Sequence, residues 1–182
     1  MIRDRQVDYV ATQIAIRLFA DDDTPQVRQL FITVNQLLSP PELRDAFEAY
    51  IERALADEID GISAYYGDRK GGFWVAAAGD EIIGTFGLEP APEQAMELRR
   101  MYVKPSARRR GIARRMLQYA EDECRRRNIR CLQLSTAAIQ TAALALYNAA
   151  GYDLVREEIA DTLSNKTVGS GLRRYFFEKV LR

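Results

Sequence analysis

Histidine is absent from all 182 residues. That absence removes the imidazole on which Ser/His/Asp and Cys/His catalysis depends, and the histidine ligands of the usual catalytic zinc sites. A general base must then be a carboxylate, a tyrosine, a lysine or a water relay. Cysteine is almost as scarce: Cys124 and Cys131 cannot build a disulfide framework and point to a reducing compartment. Both fall on expected buried positions, where a thiol serves packing. No apolar run reaches the roughly 20 residues that cross a bilayer, and the opening Met1-Ile2-Arg3-Asp4-Arg5 does not lead into a secretion signal. Net charge is missing too, because 26 basic and 26 acidic side chains cancel. A general nucleic-acid or membrane-surface binder would lean basic. These absences predict a cytoplasmic protein with no metal site, partnering neither nucleic acid nor membrane.

What is present has the profile of one domain over residues 1–182, with 47% apolar and 29% charged residues. Ile14 to Phe19 alternates as a first strand. Thr24-Pro25 then opens a helix, Thr24 as cap and Pro25 at the first helical position, with Val27, Leu30, Phe31, Val34 and Leu38 along one stripe. Leu43, Phe47, Tyr50, Ile51, Ala54 and Leu55 form a second stripe ending near Gly61, and residues 61–72 read as a loop. Strands over Phe73–Ala78 and Glu81–Leu88 flank the hairpin turn Gly79-Asp80. Glu89–Glu93 reads as a loop, and Met96–Val103 as the next strand. Gly111–Arg127 is an amphipathic helix with Ala113, Met116, Leu117, Ala120 and Cys124 on one face. Cys131–Ser135 is a short strand, Ala142–Ala150 an alanine-rich helix stopped by Gly151, and strands over 152–159 and 173–181 surround a polar loop, Ala160–Leu172. The fold class is mixed α/β, an antiparallel meander followed by βαβα units.

One junction concentrates positive charge in a neutral chain. Lys104, Arg108, Arg109, Arg110, Arg114 and Arg115 surround Gly111 where a strand and short turn lead into a helix. The first N–H groups of a helix lack partners and its dipole is positive there, so such an end binds anions. Glycine lets a ligand approach the backbone closely. A small polyanion is the expected ligand, and a solvated basic helix face is the alternative from charge alone.

Arg108-x-x-Gly111-x-Ala113 resembles the Gln/Arg-x-x-Gly-x-Gly/Ala loop of the GNAT acetyltransferases, following Met101-Tyr102-Val103 and Pro105 as in that family. A second segment, Gln140-Thr-Ala-Ala-Leu-Ala-Leu-Tyr147-Asn-Ala-Ala-Gly151-Tyr152, is similar to the family's N-x-x-A-x-x-L-Y-x-x-x-G-F/Y helix. The resemblance spans about Ile14 to Leu181. It implies a central, mostly antiparallel sheet with a splayed parallel strand pair, flanked by about four helices. It also implies a coenzyme A site. Backbone N–H groups from Arg109 through Ile112 and Ala113 to Arg114 would hold the pyrophosphate, with Arg108 opening the motif. Met101, Tyr102 and Val103 would pair with the pantetheine arm, and Gln140 stands where the family has asparagine. Phe73-Trp74-Val75-Ala76, Arg100-Met101-x-Val103, Arg110-Gly111-Ile112-Ala113 and Leu134-Ser135-Thr136-Ala137 further resemble the cysteine-S-conjugate and N-acetylaspartate-forming branch.

The resemblance assigns three catalytic roles. Val103 N–H would stabilise the oxyanion, a contact of this kind contributing about 2.7–4 kcal/mol. Tyr147 would face the sulfur. A phenol ionises near 10 and a thiol near 8.5, so full proton transfer to thiolate is uphill by roughly 2 kcal/mol, and a donated hydrogen bond is the expected role. Packing in the core is the other reading of Tyr147. Glu97 aligns with the family's glutamate base, and a solvated strand glutamate is the other reading there. Alternation puts Glu97 and Arg99 on one face and Arg100 on the other, unless a bulge intervenes. Arg99 would then fork onto a substrate carboxylate, with Tyr65, Tyr66 and the Ala160–Leu172 loop as possible neighbours. The expected activity is transfer of an acetyl group from acetyl-CoA to a primary amine, specifically a small carboxylate-bearing amine such as an amino acid or its conjugate. A protein or peptide amine as acceptor, and a non-catalytic acyl-CoA-binding module, are the alternatives. Monomer and homodimer both stay open.

Overall fold

The computed structural model describes residues 13–182, so the opening Met1–Arg5 lies outside the described residues. The elements run β1 (Ile14–Leu18), α1 (Thr24–Leu38), α2 (Arg44–Asp57), α3 (Ile62–Asp68), β2 (Gly72–Ala78), β3 (Glu81–Ala91), β4 (Ala95–Val103), α4 (Ile112–Arg126), β5 (Cys131–Ala137), α5 (Thr141–Ala149), β6 (Asp153–Ala160) and β7 (Leu172–Val180). The strands form one seven-stranded sheet in the order β1-β2-β3-β4-β5-β7-β6. Every neighbouring pair is antiparallel except β4 and β5, which run parallel. Among the described residues no helix is long and apolar enough to cross a membrane.

A strand covered on both faces loses the alternation of a half-exposed one and reads as an apolar run. β2 shows this. Phe73, Val75 and Ala77 pack under α1 and α3, while Trp74, Ala76 and Ala78 belong to the larger core on the opposite face. There Trp74 stacks on Phe86 with ring centroids 5.3 Å apart. α4 closes that face with Ile112, Met116, Leu117, Ala120 and Cys124, of which Ile112, Met116 and Leu117 each contribute roughly 1.5–3 kcal/mol by burial. Gly84 lets α4 sit close: a Cβ there would meet Met116 Sδ at 2.8 Å.

Several boundaries differ from the sequence reading. Residues 61–72 are not a plain loop. Ile62–Asp68 is helical because Ile62 and Tyr66 find buried places against Phe73, Val75 and Ile82, which outweighs the helix cost of Gly67. β3 continues through Pro90 to Ala91, where a loop was expected. β2 ends opposite Leu88, so Pro90 has a strand neighbour only in β4 and its missing N–H is tolerated. The cap of α1 is Asp23, one residue before the expected Thr24. Its carboxylate takes the Ala20 N–H at 2.9 Å and pairs with Arg17 at 2.7 Å. Cys124 is buried, which pushes its thiol up to about 12, but Cys131 is only half-buried.

Candidate functional site

β4 and β5 pair only over Ala95–Leu98 and Cys131–Leu134. Beyond that point β4 stays on β3 while β5 stays on β7, paired to Ala137↔Arg174, and a gap opens between them. A bulge lies on the rim of this gap. Gly87 is opposite Arg99 and Thr85 opposite Tyr102, so Arg100 and Met101 together face Phe86, with Arg100 at φ 54°. Thr85 Oγ1 donates to the Arg100 carbonyl at 2.9 Å and holds the distortion. After the bulge, the Lys104 N–H donates to Ile83 O at 2.8 Å. Antiparallel ladders alternate bonded and non-bonded pairs, so the neighbouring pair Gly84↔Val103 is non-bonded. The Val103 N–H is therefore directed away from β3, toward the gap. Met101 and Val103 pack on the α4 side of the sheet, whereas Tyr102 turns to α1 and meets the Phe31 ring at 5.9 Å.

The arginine loop follows at once. Pro105–Ala107 makes one tight turn, Arg109 and Gly111 take φ 63° and 75°, and α4 begins at Ile112. Ala107 and Ile112 are buried and anchor the loop, Ala113 is half-buried, and Arg108, Arg109, Arg110 and Arg114 are exposed. A Cβ on Gly111 would meet nothing within 4 Å. The glycine thus serves its positive φ and leaves room over the loop backbone. No acidic side chain stands in the first turn of α4. Lys104, counted with this positive cluster in the sequence, is instead ion-paired to Glu81.

Tyr147 on α5 is buried against the Tyr152 and Phe177 rings, at 5.9 and 6.0 Å. Burial, and secondarily the Tyr102 phenol, push its pKa up, so the hydroxyl keeps its proton at neutral pH. Gln140 caps α5. Its side-chain oxygen accepts from the Thr136 hydroxyl and, at 3.2 Å, from the Ala137 N–H, which ties the helix start to the end of β5.

On the α1–α2 side of the gap lies a cavity of about 100 Å³, walled by Tyr50, Glu97, Tyr102, Gln140, Lys166 and Arg174. Behind it sits a buried charge cluster. Glu58 is 1% exposed and receives Arg99 at 2.8 Å, Arg100 at 2.7 Å and the Tyr66 hydroxyl at 2.7 Å. Burial alone would raise the Glu58 pKa, but Arg100 and Arg99 hold it below the usual carboxylate range. Arg99 also pairs with Glu89 at 2.9 Å and donates to Tyr65 Oη. Lys166, in the loop between β6 and β7, joins Glu89 and Glu97, each at 2.6 Å.

The structure thus brings Glu97, Arg99, Val103 and Gln140 to one gap and sets the loop 108–114 beside its far side. Arg100 does not take the opposite face: the bulge turns it the same way as Arg99. The Arg99 fork is already engaged by Glu58 and Glu89, so a substrate carboxylate there would have to displace one of them. Glu58 and Arg174 escaped the sequence reading, while Lys166 belongs to the Ala160–Leu172 loop that the sequence placed near the acceptor without singling out that residue. Glu58 left a signal, since it continues the stripe Ile51, Ala54, Leu55 at offsets of seven, four and three, where an apolar residue belongs.

A family model described as "Acetyltransferase (GNAT) family" matches residues 33–152. Among curated proteins the chain is 32% identical to N-acetyltransferase 8 of Rattus norvegicus over 125 residues, covering 63% of this chain and 54% of that protein. It is 31% identical to N-acetylaspartate synthetase of Danio rerio over 137 residues, covering 74% of this chain and 48% of that protein. The chain spans about half the length of these curated relatives. Solved structures of the same fold include a GNAT-family acetyltransferase from Staphylococcus aureus Mu50, with TM-score 0.71 and 20% identity over 93% of this chain and 100% of that one. The PaiA N-acetyltransferase of Thermoplasma acidophilum, in complex with coenzyme A, superposes with TM-score 0.71 and 18% identity over 92% of this chain and 99% of that one.

Proposed function

The chain belongs to the GNAT acetyltransferase family, and we propose that it transfers an acetyl group from acetyl-CoA to the primary amine of a small, carboxylate-bearing acceptor. The carrying observation is the gap between β4 and β5, which has an anion-ready helix start on one side and a charged cavity on the other. The residues fit coenzyme A. The space over Gly111 and the exposed arginines suit a pyrophosphate, held by backbone N–H groups from Arg109 to Arg114. The open edge at Met101–Val103, with Gln140 across the gap, suits the pantetheine arm.

When bound, acetyl-CoA supplies an activated thioester. Val103 N–H, directed into the gap, donates to the carbonyl oxygen as it gains negative charge. Tyr147 stays protonated and donates a hydrogen bond to the sulfur as it gains negative charge, which suits a phenol of raised pKa better than full proton transfer. Glu97, on the cavity wall and paired with Lys166, attracts the acceptor ammonium and takes its proton directly or through water. The curated relatives named for N-acetyltransfer and for N-acetylaspartate synthesis support an amino-acid-like acceptor.

The test follows free thiol released from acetyl-CoA against amino acids, amino-acid conjugates, simple amines and peptides. Faster release with amino acids or conjugates supports the proposal. Preference for peptides would move the acceptor to a protein amine, and acetyl-CoA binding without release would leave a non-catalytic acyl-CoA module.

A further inference from the structure

We infer that Arg174, rather than Arg99, receives the carboxylate of the acceptor. This rests on the reading of the cavity as the acceptor site of an amine acetyltransferase. Four cationic side chains line or back the cavity, Arg99, Arg100, Lys166 and Arg174, against three carboxylates, Glu58, Glu89 and Glu97. Those carboxylates are already shared among the first three cations: Glu58 holds Arg99 and Arg100, Glu89 holds Arg99 and Lys166, and Glu97 holds Lys166. Arg174 is the cation left over.

Its bonds go to neutral oxygens: Nη1 donates to the Lys166 carbonyl at 2.8 Å and Nη2 to the Ser135 hydroxyl. Among the described residues no carboxylate lies within 4.0 Å of its guanidinium. Glu158, opposite it in the β6–β7 ladder, pairs with Arg156 instead. The two bonds fix the fork on the cavity wall, and the rest of it can take an anion. Burial lowers the Arg174 pKa and outweighs the opposing pull of Tyr50, Glu158 and Glu97, none of which forms an ion pair with it, and an incoming carboxylate would relieve that imbalance.

Placement supports the same assignment. Arg174 pairs with Ala137 at the end of β5, beyond the last β4–β5 pair at Leu134, and Glu97 lies on the β4 wall within electrostatic reach of it. An acceptor whose carboxylate docks on Arg174 can turn its ammonium toward Glu97 and the gap. The acceptor class this selects is an α-amino acid or its conjugate with a free carboxylate. A peptide-bonded residue or a plain amine lacks that group.

The test compares kcat/KM for L-aspartate and S-benzyl-L-cysteine with that for β-alanine and S-benzylcysteamine, their α-decarboxylated counterparts. The parent, Arg174→Ala and Arg174→Gln are compared; Gln retains a donor for Ser135 or the Lys166 carbonyl if the alanine variant folds poorly. The parent should favour at least one acid over its counterpart by roughly tenfold to a hundredfold, the range of a charge-assisted contact. That ratio should collapse toward one in the Arg174 variants, while acetyl-CoA still raises their melting temperatures as in the parent. A ratio near one in the parent, or a ratio that survives loss of Arg174, overturns the inference. Absence of any acetyl-CoA stabilisation in the parent would instead overturn the acetyltransferase reading beneath it.

Discussion

Arg99 and Arg100 are adjacent in the chain, yet both place a guanidinium nitrogen on the same oxygen of Glu58, at 2.8 and 2.7 Å. In a regular strand, neighbouring side chains point to opposite faces. The bulge at Arg100 cancels that alternation and lets one buried carboxylate hold both. The β4 bulge on the rim of the gap and the charge cluster behind the cavity therefore share the same residue, Arg100.

Removing Glu58 should be severe. Glu58→Ala leaves two buried guanidinium groups short of a partner, and the expected loss is about 3–5 kcal/mol of unfolding free energy. Urea unfolding followed by circular dichroism measures it. A loss below about 1 kcal/mol would mean that water replaces the carboxylate freely.

Stability should also fall in acid. Glu58 and Glu89 titrate below their ordinary values in the folded protein, because arginine and lysine partners favour their ionised forms. The unfolded chain then binds more protons than the folded one as pH drops, so the contribution is fully present above about pH 5 and is lost as pH falls through the unfolded value near 4.3 toward the lower folded values. Melting temperatures from pH 7 to pH 3 should decline, and the decline should be shallower in Glu58→Gln. A parallel decline in parent and variant would assign the acid sensitivity to other carboxylates.

Acetyl-CoA should stabilise the fold by about 2.7 kcal/mol at a hundred times its dissociation constant, a melting shift of several degrees. Gly111→Val should abolish the shift, because φ 75° is strained for a β-branched residue and the added side chain enters the space over the loop. An undiminished shift in this variant would remove Gly111 from the coenzyme site.

Tyr147→Phe should lower kcat by roughly tenfold to a hundredfold with little change in acetyl-CoA affinity, since the proposed hydrogen bond strengthens only as the thioester breaks. The raised pKa of Tyr147 adds a second expectation. The parent rate should show no loss from ionisation of this phenol up to about pH 10. Steady-state kinetics across pH checks both, and equal turnover in the two proteins would return Tyr147 to a packing role.

The parts legible in the sequence were those governed by local rules. Periodicity exposed α1, α2 and α4, the hairpin showed in Gly79-Asp80, and Gly111 stood out as the glycine of an arginine-rich junction, where a ligand can approach the backbone closely. The bulge was not legible: Arg100 adopts φ 54° without being a glycine, and the contacts that hold it there, the Thr85 bond to its carbonyl and its side-chain bonds to Glu58, Tyr50 and Asn165, all come from distant parts of the sequence. Glu58 meets Arg99 across 41 residues of sequence, and no local pattern encodes such a meeting. α3 was missed for a related reason, since a seven-residue helix containing Gly67 is held by Tyr66 packing and not by propensity.

Lys166 has a further consequence. Its ammonium binds Glu89 of β3 and Glu97 of β4, and its carbonyl accepts from Arg174 of β7. One loop residue thus joins three strands around the cavity, while the loop before α4 stands on separate supports, Ala107 and Ile112. Divergence in the 161–171 segment can reshape what the cavity admits without disturbing the arginine loop. If the cavity holds the acceptor and the arginine loop the donor, as proposed, changes in a short surface segment alter the acceptor while the acetyl donor stays the same.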